Sequence, residues 1–363
     1  MLVGSKESSA SNTGSRATIK DVAQLAGVHP STVSRVLNGD DRRAVAETRE
    51  KIHDAAKSLG WRPNSFARSL SLGRAYSIGM MIPTFVNPAY TSMIAGAQRA
   101  AEDQGNVLFV TDTSDDDTHM KLQLDRMSDR VDGFVVASAS MASSAIPLLV
   151  ERNIPFVLLN RRTHGGHPSV IADDERGVEL ALSHLYELGH RSIAYVAGPK
   201  GIDTVERRLH AYETFMELHN LPRSRSLMYR GALTAAGIDS GIQRLLDPAQ
   251  KVRPTALFAV NLLAAAQALT SVKALGLRVP EDLSVVGFDD WPLADHLWVP
   301  LTTVRMPSEA MGRLAVNTLL SLLDGKDVLT ENLVEEEPEL VLRASTCAPT
   351  SVKSASRTRG SKS

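Results

Sequence analysis

Cysteine is almost absent from this chain of 363 residues, which contains only Cys347. A single cysteine forms no internal disulfide and no cysteine-based metal cage, and it is typical of proteins of a reducing cytoplasm. Long apolar runs are missing as well. None approaches the roughly 20 residues of a membrane span, and no apolar segment of a signal peptide follows the start. We therefore expect a cytoplasmic protein with no membrane partner.

The sequence motifs of common enzyme classes are also missing. The chain has no Gly-x-x-x-x-Gly-Lys phosphate loop, no Gly-x-Ser-x-Gly elbow and no His-Glu-x-x-His zinc motif. His164 and His167 flank a pair of glycines, but no further metal-ligating residue lies nearby in the sequence, which favours a solvated loop over a metal site. The sequence predicts no catalytic residue, no metal and no cofactor.

Two short helical patterns separated by Gly27 lie near the start of the chain. Thr18 is a good N-cap for the first pattern, and Pro30 suits the first turn of the second. The apolar residues of each pattern recur at intervals of three and four, as on one buried face. Hydroxyl, guanidinium and amide groups remain on the outer face of the second pattern: Ser31, Thr32, Ser34, Arg35 and Asn38. Such groups contact phosphates and base edges in a DNA major groove, so the pattern predicts a helix-turn-helix, with an ordinary helical hairpin as the alternative.

A third helical pattern, over residues 46–59, ends ahead of Gly60 and completes a core of three short helices. Residues 17–74 carry ten Lys and Arg against six Asp and Glu, a balance of +4, in a chain whose net charge is −1. The stretch from 75 to 343 consequently carries −10. A basic end on an acidic body favours contact with a polyanion such as DNA at that end.

Four motifs in this region resemble, in order and spacing, the headpiece of the lactose and galactose repressor family. They are Asp21-Val-Ala-Gln-Leu-Ala-Gly-Val, Thr32-Val-Ser-Arg-Val-Leu-Asn, Thr48-Arg-Glu-Lys-Ile and Pro63-Asn-Ser-Phe-Ala-Arg-Ser-Leu70. The resemblance implies a helix-turn-helix DNA-binding headpiece over residues 17–63. We expect Arg35 to reach a guanine, with Pro30 and Ser31 setting the preference at neighbouring bases. Thr18 is expected at the same DNA surface.

The resemblance also implies a hinge helix and linker over residues 64–74. In the family this helix, here residues 64–70, folds when two subunits lie side by side on DNA. A leucine that matches Leu70 then wedges into a minor-groove step, beside the residue that matches Ala67. Asn64 begins the segment and is a further expected DNA contact. A plain linker is the alternative, because so short a segment is a marginal helix on its own.

Short apolar runs alternate with amphipathic stretches over residues 75–346, which is typical of strands and covering helices in parallel sheets. The runs are 77–82, 107–111, 133–137, 156–159, 169–172, 193–197, 256–260 and 283–288. Their order predicts an α/β core of two doubly wound subdomains. The resemblance continues through this region and implies a periplasmic-binding-protein-like core for effector binding and dimerisation. It also implies that the chain crosses between the subdomains near 173 and 305, with the effector cleft between them.

Polar residues that directly follow the apolar runs are candidates for effector binding, because ligands of open α/β sheets lie at the carboxyl ends of the strands. This rule selects Asn160, Arg161, Asn261, Asp289 and Asp290, of which Asp290 is expected to have a structural role instead. A carboxylate and amides can exchange hydrogen bonds with neighbouring hydroxyls, as a sugar or polyol requires. Each of these residues could instead be a loop or cap residue. The resemblance adds Arg208, whose counterpart holds the effector, and Tyr90 is expected to supply apolar surface.

Four positions depart from the family pattern. Leu262 stands where the family usually has Asp, and Ala211 stands where a glycine is expected. Leu233 replaces a common aromatic platform, and the loss of a stacking ring argues against a purine while leaving sugars, sugar phosphates and organic acids open. Met306 stands where the lactose repressor places a polar contact.

These observations predict a DNA-binding transcriptional regulator, a repressor whose operator affinity is controlled by a small-molecule effector. It is expected to act as a homodimer on pseudo-palindromic operator DNA, in the bacterial cytoplasm and on the nucleoid when bound. The ends, residues 1–16 and the basic stretch 347–363, are poor in large apolar residues and are expected to be disordered. Residues 349–363 contain no leucine, so no tetramerising leucine heptad is expected. An extracytoplasmic solute-binding protein and an enzyme are the alternative classes.

Overall fold

The computed structural model describes residues 17–37, 44–61 and 74–350. The chain divides into two compact units, Met1–Ala75 and Tyr76–Ser363. Four residues of the predicted DNA surface lie outside the described residues: Asn38, Asn64, Ala67 and Leu70.

The described part of the first unit is a bundle of three helices, α1 (Ile19–Ala26), α2 (Pro30–Leu37) and α3 (Ala46–Ser58). The side chains of Thr18 and Asp21 form a reciprocal capping box at the start of α1, as the N-cap prediction required. Val22, Val33 and Ile52 are fully buried and join the three helices in one small core.

Helix α3 has thirteen residues, one fewer than the fourteen predicted. Leu59 is its C-cap, and this side chain is 38% exposed.

The second unit consists of twelve strands and eight α-helices among its described residues. The strands are β1 (Ser77–Ile82), β2 (Val107–Asp112), β3 (Gly133–Val136), β4 (Phe156–Leu159), β5 (Ser169–Ile171), β6 (Ile193–Val196), β7 (Met228–Tyr229), β8 (Ala256–Ala259), β9 (Ser284–Phe288), β10 (Thr302–Arg305), β11 (Glu331–Leu333) and β12 (Glu339–Val341). The helices are α4 (Ala89–Asp103), α5 (Asp117–Met127), α6 (Ile146–Glu151), α7 (Asp174–Glu187), α8 (Asp203–Leu218), α9 (Ala235–Leu245), α10 (Leu262–Ala274) and α11 (Ser308–Leu323). Short 3-10 helices span Arg225–Leu227 and Pro292–His296.

Two six-stranded sheets divide this unit into two subdomains. The first sheet has the order β11-β5-β4-β3-β1-β2 and is parallel throughout. The second has the order β12-β10-β9-β8-β6-β7 and is parallel except for its edge strand β12. The central strands are buried along their whole length, which explains why they read as continuous apolar runs. The predicted fold class of two parallel-sheet α/β subdomains is confirmed.

The chain passes between the two sheets three times. It leaves the first sheet between β5 and α7, and it returns between β10 and α11. The return is held by close packing of α4 on α11, where a Cβ at Gly96 or Gly312 would stand 1.9 Å from a backbone carbonyl oxygen of the facing helix. A third passage, between β11 and β12, was not predicted from the sequence, because these strands have only three residues each and no continuous apolar run.

The C-terminal segment after β12 belongs to the second subdomain as far as Thr350. The backbone N–H of Cys347 donates to Ser284 Oγ at 3.0 Å, and Thr350 Oγ1 donates to the carbonyl oxygen of Glu281 at 2.9 Å. The expected disordered tail from residue 347 is therefore wrong for residues 347–350, because β9 and the loop before it supply their hydrogen-bond partners.

His190 fastens this segment to the second sheet. Its Nε2 donates to the carbonyl oxygen of Cys347 at 2.9 Å, and Nδ1 lies within hydrogen-bond distance of the hydroxyl of Thr255, also at 2.9 Å. Burial of the imidazole lowers the pKa of His190 below its ordinary value, since a charged ring would lose hydration.

Because the pKa of His190 is lower in the folded chain, the unfolded chain binds more protons as the pH falls through the ordinary value of about 6.5. We expect the free energy of unfolding to decrease between about pH 7.5 and about pH 5.5, and His190→Asn to make this decrease shallower. Urea denaturation of both chains at several pH values measures the two slopes. Equal slopes would contradict the assignment of a neutral, buried ring.

Candidate functional site

The outward face of α2 carries the polar groups that the sequence analysis placed on DNA. Val33 and Val36 are buried toward α1 and α3, so Ser31 and Arg35, four residues apart, share the exposed face. His29 Nδ1 lies 2.8 Å from Ser31 Oγ and accepts from the backbone N–H of Ser31 at 3.3 Å, which caps the helix start. This face is a basic and hydroxyl-bearing surface at the first turns of a helix, where phosphate oxygens bind readily.

The other headpiece candidates are distributed around this face. Arg35 Nε donates to the carbonyl oxygen of Ser31 at 3.2 Å, which leaves its two terminal nitrogens directed away from that bond. Thr32, Ser34 and Pro30 are partly exposed. Thr18 is exposed, but its hydroxyl takes part in the capping box of α1, so its side chain has a structural role in this structure.

A buried cluster of charges lies in the second subdomain around Arg208 of α8. Arg208 Nε donates to Asp174 at 2.6 Å, and its Nη1 and Nη2 donate to the two carboxylate oxygens of Asp289 at 3.3 and 3.2 Å. Nη1 also donates to the carbonyl oxygen of Val260 at 2.6 Å, and the guanidinium carbon stands 3.8 Å from the centre of the Phe288 ring. The guanidinium is thus fixed by α7, β9 and the end of β8 together.

Burial and pairing act in opposite directions on this cluster. Burial alone would lower the pKa of Arg208, but the carboxylates of Asp289 and Asp174 more than offset it and raise that pKa above its ordinary value. Burial raises the pKa of Asp289, and Arg208 offsets only part of that increase. Asp289 also has a positive φ of 66°, which turns the chain directly after β9. Arg208 and Asp289 thus form a buried ion pair. A hydroxyl group of a ligand can hydrogen-bond to this pair without bringing a further charge into the core.

A second buried guanidinium, that of Arg161, lies in the first subdomain. Its Nη1 donates to Asp115 at 2.6 Å and to the carbonyl oxygen of Ser138 at 3.1 Å, and Nη2 donates to the hydroxyl of Tyr90 at 3.4 Å. Arg161 is 5% exposed, and its Nε is buried with no hydrogen-bond partner among the described residues. A buried donor without a partner is costly, so an acceptor supplied from outside the chain would stabilise this site.

The two asparagines have different surroundings from those expected. Asn261 is the N-cap of α10, since its Oδ1 accepts from the backbone N–H of Ala264 at 2.8 Å. One lone pair of its side-chain oxygen is used by the helix, so its amide NH₂ is the group with both donors left for a ligand. Asn160 follows β4 with a φ of 66°, and its backbone carbonyl accepts from Arg207 Nη2 at 3.0 Å.

The hydrogen bond from Arg207 to Asn160 joins the two groups of candidates across the subdomains. Arg161 follows Asn160 in the first subdomain, and Arg208 follows Arg207 in the second. The two guanidiniums therefore belong to different subdomains, the two lobes of the core, on either side of this bond. Asp289 in addition borders a cavity of about 380 Å³ whose lining includes Met306, Ser308 and Trp291. The other five effector candidates do not line that cavity.

Three charged residues of the region escaped the sequence analysis: Asp115, Asp174 and Arg207. Asp174 stands close behind β5, so the strand-end rule that selected Asn160 could have found it. Asp115 belongs to a run of three aspartates that resembles an ordinary solvated loop, and Arg207 precedes the arginine that the resemblance selected. Neither had a sequence signal of its own.

Asp290, by contrast, serves the fold. Its carboxylate accepts from Thr303 Oγ1 at 2.5 Å, from Arg343 at 2.8 Å and from Arg305 at 2.9 Å, all within the second sheet and its flanking segment. The side chains of Asp289 and Asp290 therefore point to different partners. Within the described ranges, no three His, Cys, Asp or Glu side chains converge as metal ligands, and no helix is long and apolar enough to cross a membrane.

A helix-turn-helix bundle with a polar outer face, followed by two parallel-sheet lobes with facing charged groups, defines a DNA-binding regulator with a ligand-binding core. Comparison with known proteins agrees. Residues 18–64 match the family model of bacterial regulatory proteins, lacI family, and residues 182–346 match that of the periplasmic binding protein-like domain. The chain belongs to the lacI family of bacterial transcriptional regulators.

Individual relatives cover nearly the whole chain. It is 34% identical to the HTH-type transcriptional repressor PurR of Aliivibrio fischeri (strain MJ11), over 91% of this chain and 98% of the relative. It is 31% identical to the ribose operon repressor of Escherichia coli (strain K12), over 91% and 99%. The structure of a lac repressor dimer bound to operator and the anti-inducer ONPF superposes with a TM-score of 0.81 at 28% identity, covering 92% of this chain and all of that chain.

The cap formed by Asn261 leads to a prediction about its role. Asn261→Ala removes the acceptor for the first turn of α10 and is expected to lower the free energy of unfolding by about 0.5–2 kcal/mol. Asn261→Asp keeps an acceptor there and is expected to remain close to the original stability. Urea denaturation of the three chains tests this. An alanine variant as stable as the original chain would show that the cap contributes nothing.

Proposed function

We propose that this protein is a transcriptional repressor that binds a pseudo-palindromic operator as a homodimer and responds to a small-molecule effector. DNA binding is assigned to the outward face of α2, and effector binding to the region of Arg161, Arg208 and Asp289. The observation that carries the proposal is the buried Arg208–Asp289 pair at the strand ends of a core that follows a helix-turn-helix headpiece. The named relatives are repressors, which supports this assignment and a role other than catalysis. A regulator of this kind acts in the bacterial cytoplasm, at the nucleoid when bound.

The charges around the two guanidiniums favour a neutral, polyhydroxylated effector such as a sugar. Arg208 is already paired with two carboxylates, and Arg161 with Asp115. Arg207 also pairs with Asp174, so these groups together carry three positive and three negative charges, and no unpaired cation is left for a phosphate or carboxylate on the effector. Hydroxyls can accept from Arg161 Nε and donate to Asp289 without needing such a cation. Of the effector classes left open by the sequence, the neutral sugars therefore fit the site best.

A comparison of neutral and anionic effectors tests this proposal. We expect one or more of D-ribose, D-galactose and cellobiose to raise the melting temperature of the chain, whereas ribose 5-phosphate and gluconate do not. Asp289→Asn is expected to weaken binding of the active sugar roughly 10- to 100-fold in calorimetry, because one charge-assisted hydrogen bond contributes about 1.5–3 kcal/mol. Arg208→Ala is expected to abolish binding.

Arg278→Ala is the matched control, since it removes an exposed arginine paired with Asp282 in the same subdomain. It is expected to leave sugar binding unchanged. Tighter binding of the anionic compounds than of the sugars would overturn the effector class. Unchanged sugar binding in both Arg208→Ala and Asp289→Asn would overturn the site.

Base readout by the headpiece is tested separately. An operator selected from random-sequence DNA should lose roughly 1–3 kcal/mol of binding free energy in Arg35→Ala, while binding to bulk DNA changes less. Lys57→Ala, an exposed charge on α3, is the matched control, and it is expected to affect specific and bulk DNA alike. Gel-shift titrations at fixed salt measure both affinities. If Arg35→Ala weakened the two DNAs equally, Arg35 would be a phosphate contact.

A further inference from the structure

We propose that Arg162, Asp203 and Arg207 form a latch between the two subdomains of the core that holds Arg208 in position, so that Asp203 and Arg207 are positioning residues for the effector site. The inference rests on the proposed function only in assigning Arg208 to the effector. None of the three latch residues was singled out from the sequence.

The latch is part of a continuous series of alternating charges. Asp203 Oδ2 accepts from Arg207 Nε at 2.9 Å, and Arg207 Nη1 donates in turn to Asp174. Asp174 also accepts from Arg208 Nε at 2.6 Å. The side chains of Asp174, Asp203 and Arg207 are only 1%, 6% and 11% exposed. Solvent therefore cannot replace a lost partner, and a displacement of Asp203 moves Arg207 and Asp174 with it.

Asp203 is held from the opposite subdomain. The backbone N–H of Arg162, in the loop after β4, donates to Asp203 Oδ2 at 3.0 Å, and its Nε donates to Oδ1 at 3.2 Å. Arg207 reaches back across the same boundary to the carbonyl oxygen of Asn160 at 3.0 Å. Two contacts thus join the lobes beside Arg208. In one the donor is Arg162 of the first subdomain, and in the other the donor is Arg207 of the second.

This arrangement makes the position of Arg208 depend on closure of the lobes. When the lobes separate, Asp203 loses the donors from Arg162, and Arg207 loses the carbonyl of Asn160. Arg207 keeps Asp203 and Asp174 within its own subdomain but is then held from one side only, so the Asp174 carboxylate that it shares with Arg208 is less firmly placed for the Nε bond of Arg208. An effector that requires Arg208 binds only the fraction of molecules in which it is in place, so loss of the latch raises the apparent Kd.

The latch can be measured in the ligand-free full-length chain. Spin labels attached through Arg126→Cys on α5 and Glu213→Cys on α8, in a Cys347→Ser background, report the distance between the lobes. Excess unlabelled chain keeps one labelled protomer in each assembly. Asp203→Asn and Arg162→Gln are each expected to shift the distance distribution to longer values. The double variant should show a shift smaller than the sum of the two single shifts, because both changes weaken the side-chain contact between Arg162 and Asp203 while the backbone N–H of Arg162 remains.

A second readout follows Arg208 itself. The Nε–H resonance of Arg208, assigned by its loss in Arg208→Lys, should exchange with solvent roughly tenfold faster or more in Asp203→Asn, since one charge-assisted bond corresponds to such a factor. Asp203→Glu, which keeps the charge, is expected to restore part of the protection. The matched control is Glu331→Gln, which removes the partner of Arg162 within its own subdomain and leaves Asp203 untouched.

The outcomes separate the latch from a purely structural role. A lower melting temperature in Asp203→Asn with unchanged lobe distance and unchanged Arg208 exchange would overturn the proposal. A changed distance with unchanged exchange would overturn the positioning of Arg208. Both readouts use no effector, so failure of the sugars to bind would count against the proposed function alone.

Discussion

The core of this protein depends on one buried carboxylate, Asp174, at the point where the chain first leaves one sheet for the other. Its side chain is 1% exposed and is shared by Arg207 and Arg208. A buried charge is tolerated only when it is paired and hydrogen-bonded, so the start of α7 and the side of α8 must meet there. That meeting fixes Arg208 against β9 and brings Arg207 within reach of the opposite lobe.

The same region shows why polar side chains gather at this place in the fold. Parallel strands of both sheets end near the crossings, and the residues that follow them must turn sharply. Asn160 and Asp289 do so with φ near 66°, a conformation that asparagine and aspartate tolerate better than other non-glycine residues. Polar side chains are therefore present for backbone reasons. The buried arginines then convert these turns into a set of donors and acceptors suited to hydroxyl groups.

Much of the fold was accessible from the sequence because it depends on local periodicity. The three headpiece helices have periodic apolar patterns and the central strands of both sheets have continuous apolar runs, and their buried residues largely agree with the prediction. Leu25 is an exception, since its place in the apolar pattern of α1 predicts burial but its side chain is 57% exposed. The third crossing also escaped prediction, because β11 and β12 are short edge strands whose partners lie far away in the chain.

By itself, the sequence determined the class of each segment, the family and the types of polar residue at the strand ends, because these follow from spacing and residue chemistry. Only the tertiary structure decided which of those residues form hydrogen bonds and ion pairs with one another. Asn261 caps α10, which begins directly after it, whereas the turn after β9 points Asp289 toward Arg208. Asp174, Asp203 and Arg207 acquired their roles through pairings between residues 4 to 47 positions apart. Burial and charge pairing depend on such distant partners, and no local pattern records them.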